Sequence, residues 1–140
     1  MSRKIAREYA YKLVFEYLFN HTKNTKTYDV FTNADLDAED VRYLEKVYSG
    51  ITEHFDELIS VVEKYSHGFV ADRIYKTDLS ALLVAIYEMK YMNKEIPLSV
   101  SINEAVVLVK HYSTEKSHSF VNGILSSVYK EVTSNDPDRR

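Results

Sequence analysis

The sequence predicts an all-α protein of six or seven helices. Three observations carry that prediction: apolar residues recur at helical spacing along most of the chain, no segment shows the strict alternation of a half-buried strand, and helix breakers are scarce, with 3 Gly and 2 Pro in 140 residues. In the opening segment Ile5, Ala6, Tyr9, Ala10, Leu13, Val14, Tyr17 and Leu18 share one face to about Phe19, with Ser2 placed to cap it. Asn20 to Thr27 is polar and reads as a loop, followed by a short helix around Tyr28 to Phe31. Asp37 then caps a longer helical segment, whose apolar positions Val41, Leu44, Val47, Tyr48, Ile51, Phe55, Leu58, Ile59 and Val62 continue to about Ser66. Gly50 inside it marks a kink or a close contact, and Gly68 fits the left-handed residue after the helix end.

Thr77 or Asp78 begins a helix in which Leu79, Leu82, Leu83, Ile86 and Tyr87 form a face and Ala81 and Ala85 permit close approach, the pattern of a central core helix. Pro97 closes the linker after it. Ser101 with Glu104 makes a capping-box pattern for the next helix, which runs to about Tyr112, with Ser99 as an earlier start. The last helix begins near Thr114 or Glu115 and runs to about Val132, with Phe120, Val121, Ile124, Leu125 and Val128 inward. Residues 1–134 read as one helical domain and 135–140 as a charged tail.

Composition excludes several classes of function. With no cysteine there is neither a disulfide nor a thiolate metal site. No apolar run approaches the roughly 20 residues that cross a bilayer, and the charged N-terminus lacks the apolar core of an export signal, so the expected location is the cytoplasm. The histidines at 21, 54, 67, 111 and 118 show no metalloprotease spacing, and glycines at 50, 68 and 123 make no phosphate-binding loop. No catalytic machinery, metal or cofactor is expected.

The net charge of −3 argues against a nucleic-acid partner until its distribution is read. In the first 26 residues Arg3, Lys4, Arg7, Lys12, Lys23 and Lys26 face only Glu8 and Glu16, whereas residues 27–64 hold ten acids against Arg42, Lys46 and Lys64. Such a bipolar chain presents a basic patch to phosphates and turns its acidic side away, so binding is oriented but weak and salt-sensitive. Arg3, Lys4 and Arg7 stand at spacings that share one helix face. Lys116, Ser117 and His118 mark the start of the last helix, where backbone amides also attract anions. Phe120, about one turn further, serves either as core or as a platform for an unpaired base, and a few of the 12 tyrosines offer the same choice. Asp78 is the candidate for a partner-protein contact, with an N-cap as its plain alternative. The RNA reading requires the first and last helices to begin side by side, as one cationic cradle.

The Arg3-Lys4-Ile5-Ala6-Arg7-Glu8 opening, Ala85-Ile86-Tyr87-Glu88 with Pro97 downstream, Ser101 to Val106, and Ser117-His118-Ser119-Phe120-Val121-Asn122-Gly123-Ile124-Leu125 together resemble the NusB family over nearly the whole chain. The resemblance implies two packed three-helix subdomains and binding to single-stranded boxA RNA. It further implies a partner, the small-subunit ribosomal protein NusE, and a role with other Nus factors on RNA polymerase in suppressing termination, particularly in ribosomal RNA operons. Two departures bear on the site. The opening is poorer in arginine than many relatives, so fewer forked phosphate contacts are available, and Lys116 stands where relatives often carry an acid. Two alternatives stay open: a self-associating homodimer or assembly module that hides its basic face, and a NusB-like domain related to ribosomal RNA methyltransferases, for which 140 residues leave no cofactor domain.

Overall fold

The helix that the sequence marks as central is the one around which the others assemble in the computed structural model, which describes residues 3–33 and 36–134. The elements are α1 (Arg3–Asn20), α2 (Thr25–Thr32), α3 (Ala38–Glu53), α4 (Phe55–Tyr65), a 3-10 turn (Ala71–Arg73), α5 (Lys76–Tyr91), α6 (Leu98–Tyr112) and α7 (Ser117–Ser134). Every residue of α5 from Asp78 to Met89 is buried, which is the fate of a helix that is apolar almost all round. On one side it carries α1, which also packs on α2 and α3; on the other it packs with α6 and α7, and α4 leans on α5 and α7. Two three-helix groups, α1–α3 and α5–α7, are thereby joined through the α1–α5 contact. The expected Ser2 cap and the tail at 135–140 lie outside the described residues.

Local chemistry sets the element ends. Asp37 caps α3, its carboxylate accepting from the Asp40 amide at 2.9 Å. Asn24 does the same for α2 through the Thr27 amide at 3.0 Å, so that helix starts earlier than Tyr28. The long apolar segment after Asp37 is two helices, and the break falls at His54 (φ −105°, ψ 24°), not at Gly50. Gly50 answers to the close-contact alternative: a Cβ there would lie 2.2 Å from the Tyr87 ring. Gly68 takes φ +94° as expected, but His67, at φ 57°, is the first left-handed residue beyond the Ser66 cap.

Three expectations are corrected. The capping box at Ser101 and Glu104 does not form, because α6 already starts at Leu98 behind Pro97, whose ψ of 141° supplies the non-helical entry. The Ser101 hydroxyl is instead buried and donates to Glu88 at 2.7 Å. α7 begins at Ser117, after a turn over Thr114 to Lys116, rather than at Thr114 or Glu115. Finally, Ile5, placed on the buried stripe of α1, is 44% exposed, while Arg7 is 5% exposed.

Candidate nucleic-acid interface

The exchange of Ile5 for Arg7 follows from a partner on α5. The Arg7 guanidinium reaches across to Glu88, Nε to Oε2 at 2.8 Å and Nη2 to Oε1 at 3.2 Å, a forked pair in which both groups are buried. Glu88 also accepts from the Tyr43 hydroxyl on α3 and from Ser101 on α6, so one carboxylate ties four helices together. Burial opposes the Arg7 charge, but Tyr43, Glu88 and Glu104 outweigh it and leave its pKa above the ordinary value. Burial and the adjacent Glu88 push the Tyr43 hydroxyl well above the ordinary tyrosine range. The three N-terminal cations therefore do not form one exposed row. Arg3 is half-exposed, paired with Asp40 at 3.1 Å and stacked over Tyr43; Lys4 is the exposed one, 3.4 Å from Glu104 on α6.

At the other end of α5, Asp78 is not an N-cap. That place belongs to Tyr75, and Asp78 lies buried in the first helical turn. Its carboxylate accepts from Ser113 at 2.6 Å and from Ser117 at 3.0 Å, which fixes the α6–α7 turn against α5. Ser117 is thus buried and occupied. Lys116 and His118 point outward, with His118 Nδ1 3.1 Å from the Glu115 carbonyl oxygen. Phe120 is half-buried, its ring edge-to-face with Phe69 at 6.0 Å, and it lines a shallow depression of about 180 Å³ with Arg73, Tyr75 and Lys116.

The two ends do not adjoin. α1 is anchored at Glu88 and the α6–α7 turn at Asp78; these stand ten residues apart on α5, about 15 Å of helix rise. Between them α1 and α6 run side by side in the same direction, held by Lys4 with Glu104 and by the Tyr112 hydroxyl with Glu8, and leave a groove of about 210 Å³. Val107 and Leu108 floor it, His111 and Tyr112 close one end edge-to-face, and Lys12 sits over the Tyr112 ring at 5.7 Å. The continuous cationic cradle is replaced by a groove with cations at both ends and the Glu8 and Glu104 carboxylates between them. Sequence reasoning missed Glu88, Tyr43, Glu104, His111 and Tyr112. Glu88 alone left a signal, as an acid inside the apolar run of α5.

Among the described residues no group of three or more His, Cys, Asp or Glu is placed to hold a metal ion, and no helix is long and apolar enough to cross a membrane. Fold and surface together define an all-helical binding protein whose distinctive face is a groove rimmed by cations and aromatic rings. The NusB family model matches residues 4–130. The transcription antitermination protein NusB of Finegoldia magna is 38% identical over 131 residues, covering 93% of this chain and 95% of that one. The NusB of Acetivibrio thermocellus is 39% identical over 131 residues, with 93% and 90% covered. Among solved structures, NusB of T. maritima superposes with a TM-score of 0.82 at 28% identity, covering 94% of this chain and 92% of that one. A chain from a complex of the antitermination factors NusB and NusE with double-stranded RNA gives 0.81 at 25% identity, covering 94% and 99%. The chain belongs to the NusB family, and the relatives it matches over nearly their whole length are transcription antitermination proteins.

Proposed function

We propose that this chain is a cytoplasmic RNA-binding antitermination factor that, together with NusE, binds single-stranded boxA RNA and joins other Nus factors on RNA polymerase to bypass termination, especially in ribosomal RNA operons. The observation that carries the reading is the full-length likeness to NusB proteins, one of them solved in complex with NusE and RNA. The surface supports it through separate groups and without the single cradle expected from the sequence. Arg3, Lys4, Lys116 and His118 are the groups offered to phosphates, and Phe120 is the ring offered to a base. Arg7 and Ser117, both buried, act by holding α1 and the α6–α7 turn in place. Asp78 likewise shapes the partner surface, beside the exposed Phe69 and Tyr75.

Titration of boxA RNA and of a scrambled RNA of equal composition with the protein plus NusE, across salt concentrations, tests the reading. Preference for boxA and a binding constant that falls steeply with salt are expected. Equal binding of both sequences refutes the specificity. A homodimer that buries the same face and binds neither RNA, seen by light scattering, refutes the whole reading.

A further inference from the structure

The carboxylates that interrupt the basic surface sit where an unpaired base would be read. Glu104 presents Oε1 to Lys4 at 3.4 Å and to Arg7 at 4.0 Å, and Glu8 presents Oε2 to Tyr112 and Lys12, so among the described residues Glu104 Oε2 and Glu8 Oε1 have no hydrogen-bond or ion-pair partner. Both line the α1–α6 groove, whose apolar floor is Val107 and Leu108 and whose end wall is His111 against Tyr112. Lys4, the exposed cation of α1, lines the same groove. Its volume of about 210 Å³ leaves room for one planar ring but not for a duplex.

A free carboxylate oxygen only accepts hydrogen bonds, and uracil offers it a single ring N3–H flanked by two carbonyl oxygens that it repels. The edge of cytosine carries an exocyclic amino donor, the group that Glu and Asp side chains accept from in base readout. We propose that the groove between α1 and α6 binds one unpaired base bearing an exocyclic amino group, cytosine among the pyrimidines, with Glu104 and Glu8 as readers of that amino group and the His111–Tyr112 pair as its stacking wall. The inference rests on the RNA-binding reading above and adds base selection to it. It also gives the carboxylates a use: they weaken overall attraction for phosphate and in return discriminate between bases that stack equally poorly.

The test compares oligocytidylate with oligouridylate of equal length by fluorescence anisotropy, using the full chain with NusE. The wild type is expected to favour oligocytidylate by about tenfold, the discrimination of one well-formed base contact. Glu104→Gln, which presents a donor as well as an acceptor, is expected to bring the ratio to about threefold or less while its circular dichroism stays that of the wild type. Val107→Phe fills the groove from a half-exposed position without touching a charge, and the same loss of preference is expected. Salt-sensitive binding with no preference in the wild type, or an unchanged ratio in both variants, overturns the proposal and leaves the RNA reading standing. Absence of salt-sensitive binding to any RNA overturns both.

Discussion

Replacing Arg7 with Met separates architecture from binding at the N-terminus. The side chain is 6% exposed and its partner Glu88 is 0% exposed, so the substitution keeps the aliphatic volume but leaves a buried carboxylate with only the Tyr43 and Ser101 hydroxyls as donors. Breaking one side of a buried ion pair costs about 3–5 kcal/mol, and for a chain of this length that lowers the melting temperature by about 10–15 °C. Urea denaturation measures the loss, and pairing Arg7→Met with Glu88→Leu should recover most of it, since an apolar pair of similar volume replaces a buried ion pair at little net cost. Lys4→Ala is the control: its side chain is 68% exposed, so stability changes by less than about 0.5 kcal/mol. A loss below about 1 kcal/mol for Arg7→Met refutes the claim that Arg7 is a structural residue.

Two further outcomes follow from the core. Gly50→Ala drives a Cβ to 2.2 Å from the Tyr87 ring and should cost about 1–3 kcal/mol by denaturant melting; the additional change Tyr87→Leu should relieve much of it, and strict additivity of the two changes would refute the close-contact explanation. On alkaline titration Tyr43, held neutral by burial and then by Glu88, and Tyr11, raised first by burial, should resist ionisation in the folded protein well beyond the ordinary tyrosine value of about 10. Because the folded pKa is raised, the associated stability is intact below that ordinary value and is lost as pH rises beyond it. Tyrosinate absorbance, free of overlap in a chain with no Trp, should therefore reach its full value only with loss of helicity.

The helical plan was legible because burial in this fold follows apolar periodicity: α5 is apolar almost all round and central, and Val121, Ile124, Leu125 and Val128 of α7 point inward as their spacing requires. Boundaries were legible only where a side chain acts on its own neighbours, as Asp37 does on Asp40. The break at His54 has no such local cause. It occurs in a sequence whose apolar spacing runs straight through it, because α3 packs against α1 and α5 whereas α4 packs against α5 and α7. The Ser101 and Glu104 pattern failed for the converse reason. Both side chains had a capping role available locally and a stronger demand from afar, Ser101 from the buried Glu88 and Glu104 from Lys4.

The candidate site shows the same limit in sharper form. Three cations on one helix face read as a phosphate-binding row, because an arginine is exposed unless something compensates its desolvation. That compensation lies 81 residues away in Glu88, and no spacing within α1 encodes it. The consequence reaches the function. The pair that removes Arg7 from the surface also sets the height of α1 over α5, and α6 is set from the same carboxylate through Ser101. The width of the α1–α6 groove is therefore governed by Glu88, which lies beneath it and is wholly buried. A substitution at Glu88 that leaves the fold intact should alter the discrimination between bases before it alters the attraction for phosphate, since Lys4 and Lys116 stay on the surface whatever the groove width, whereas Glu104 and Glu8 can read a base edge only across a fixed gap.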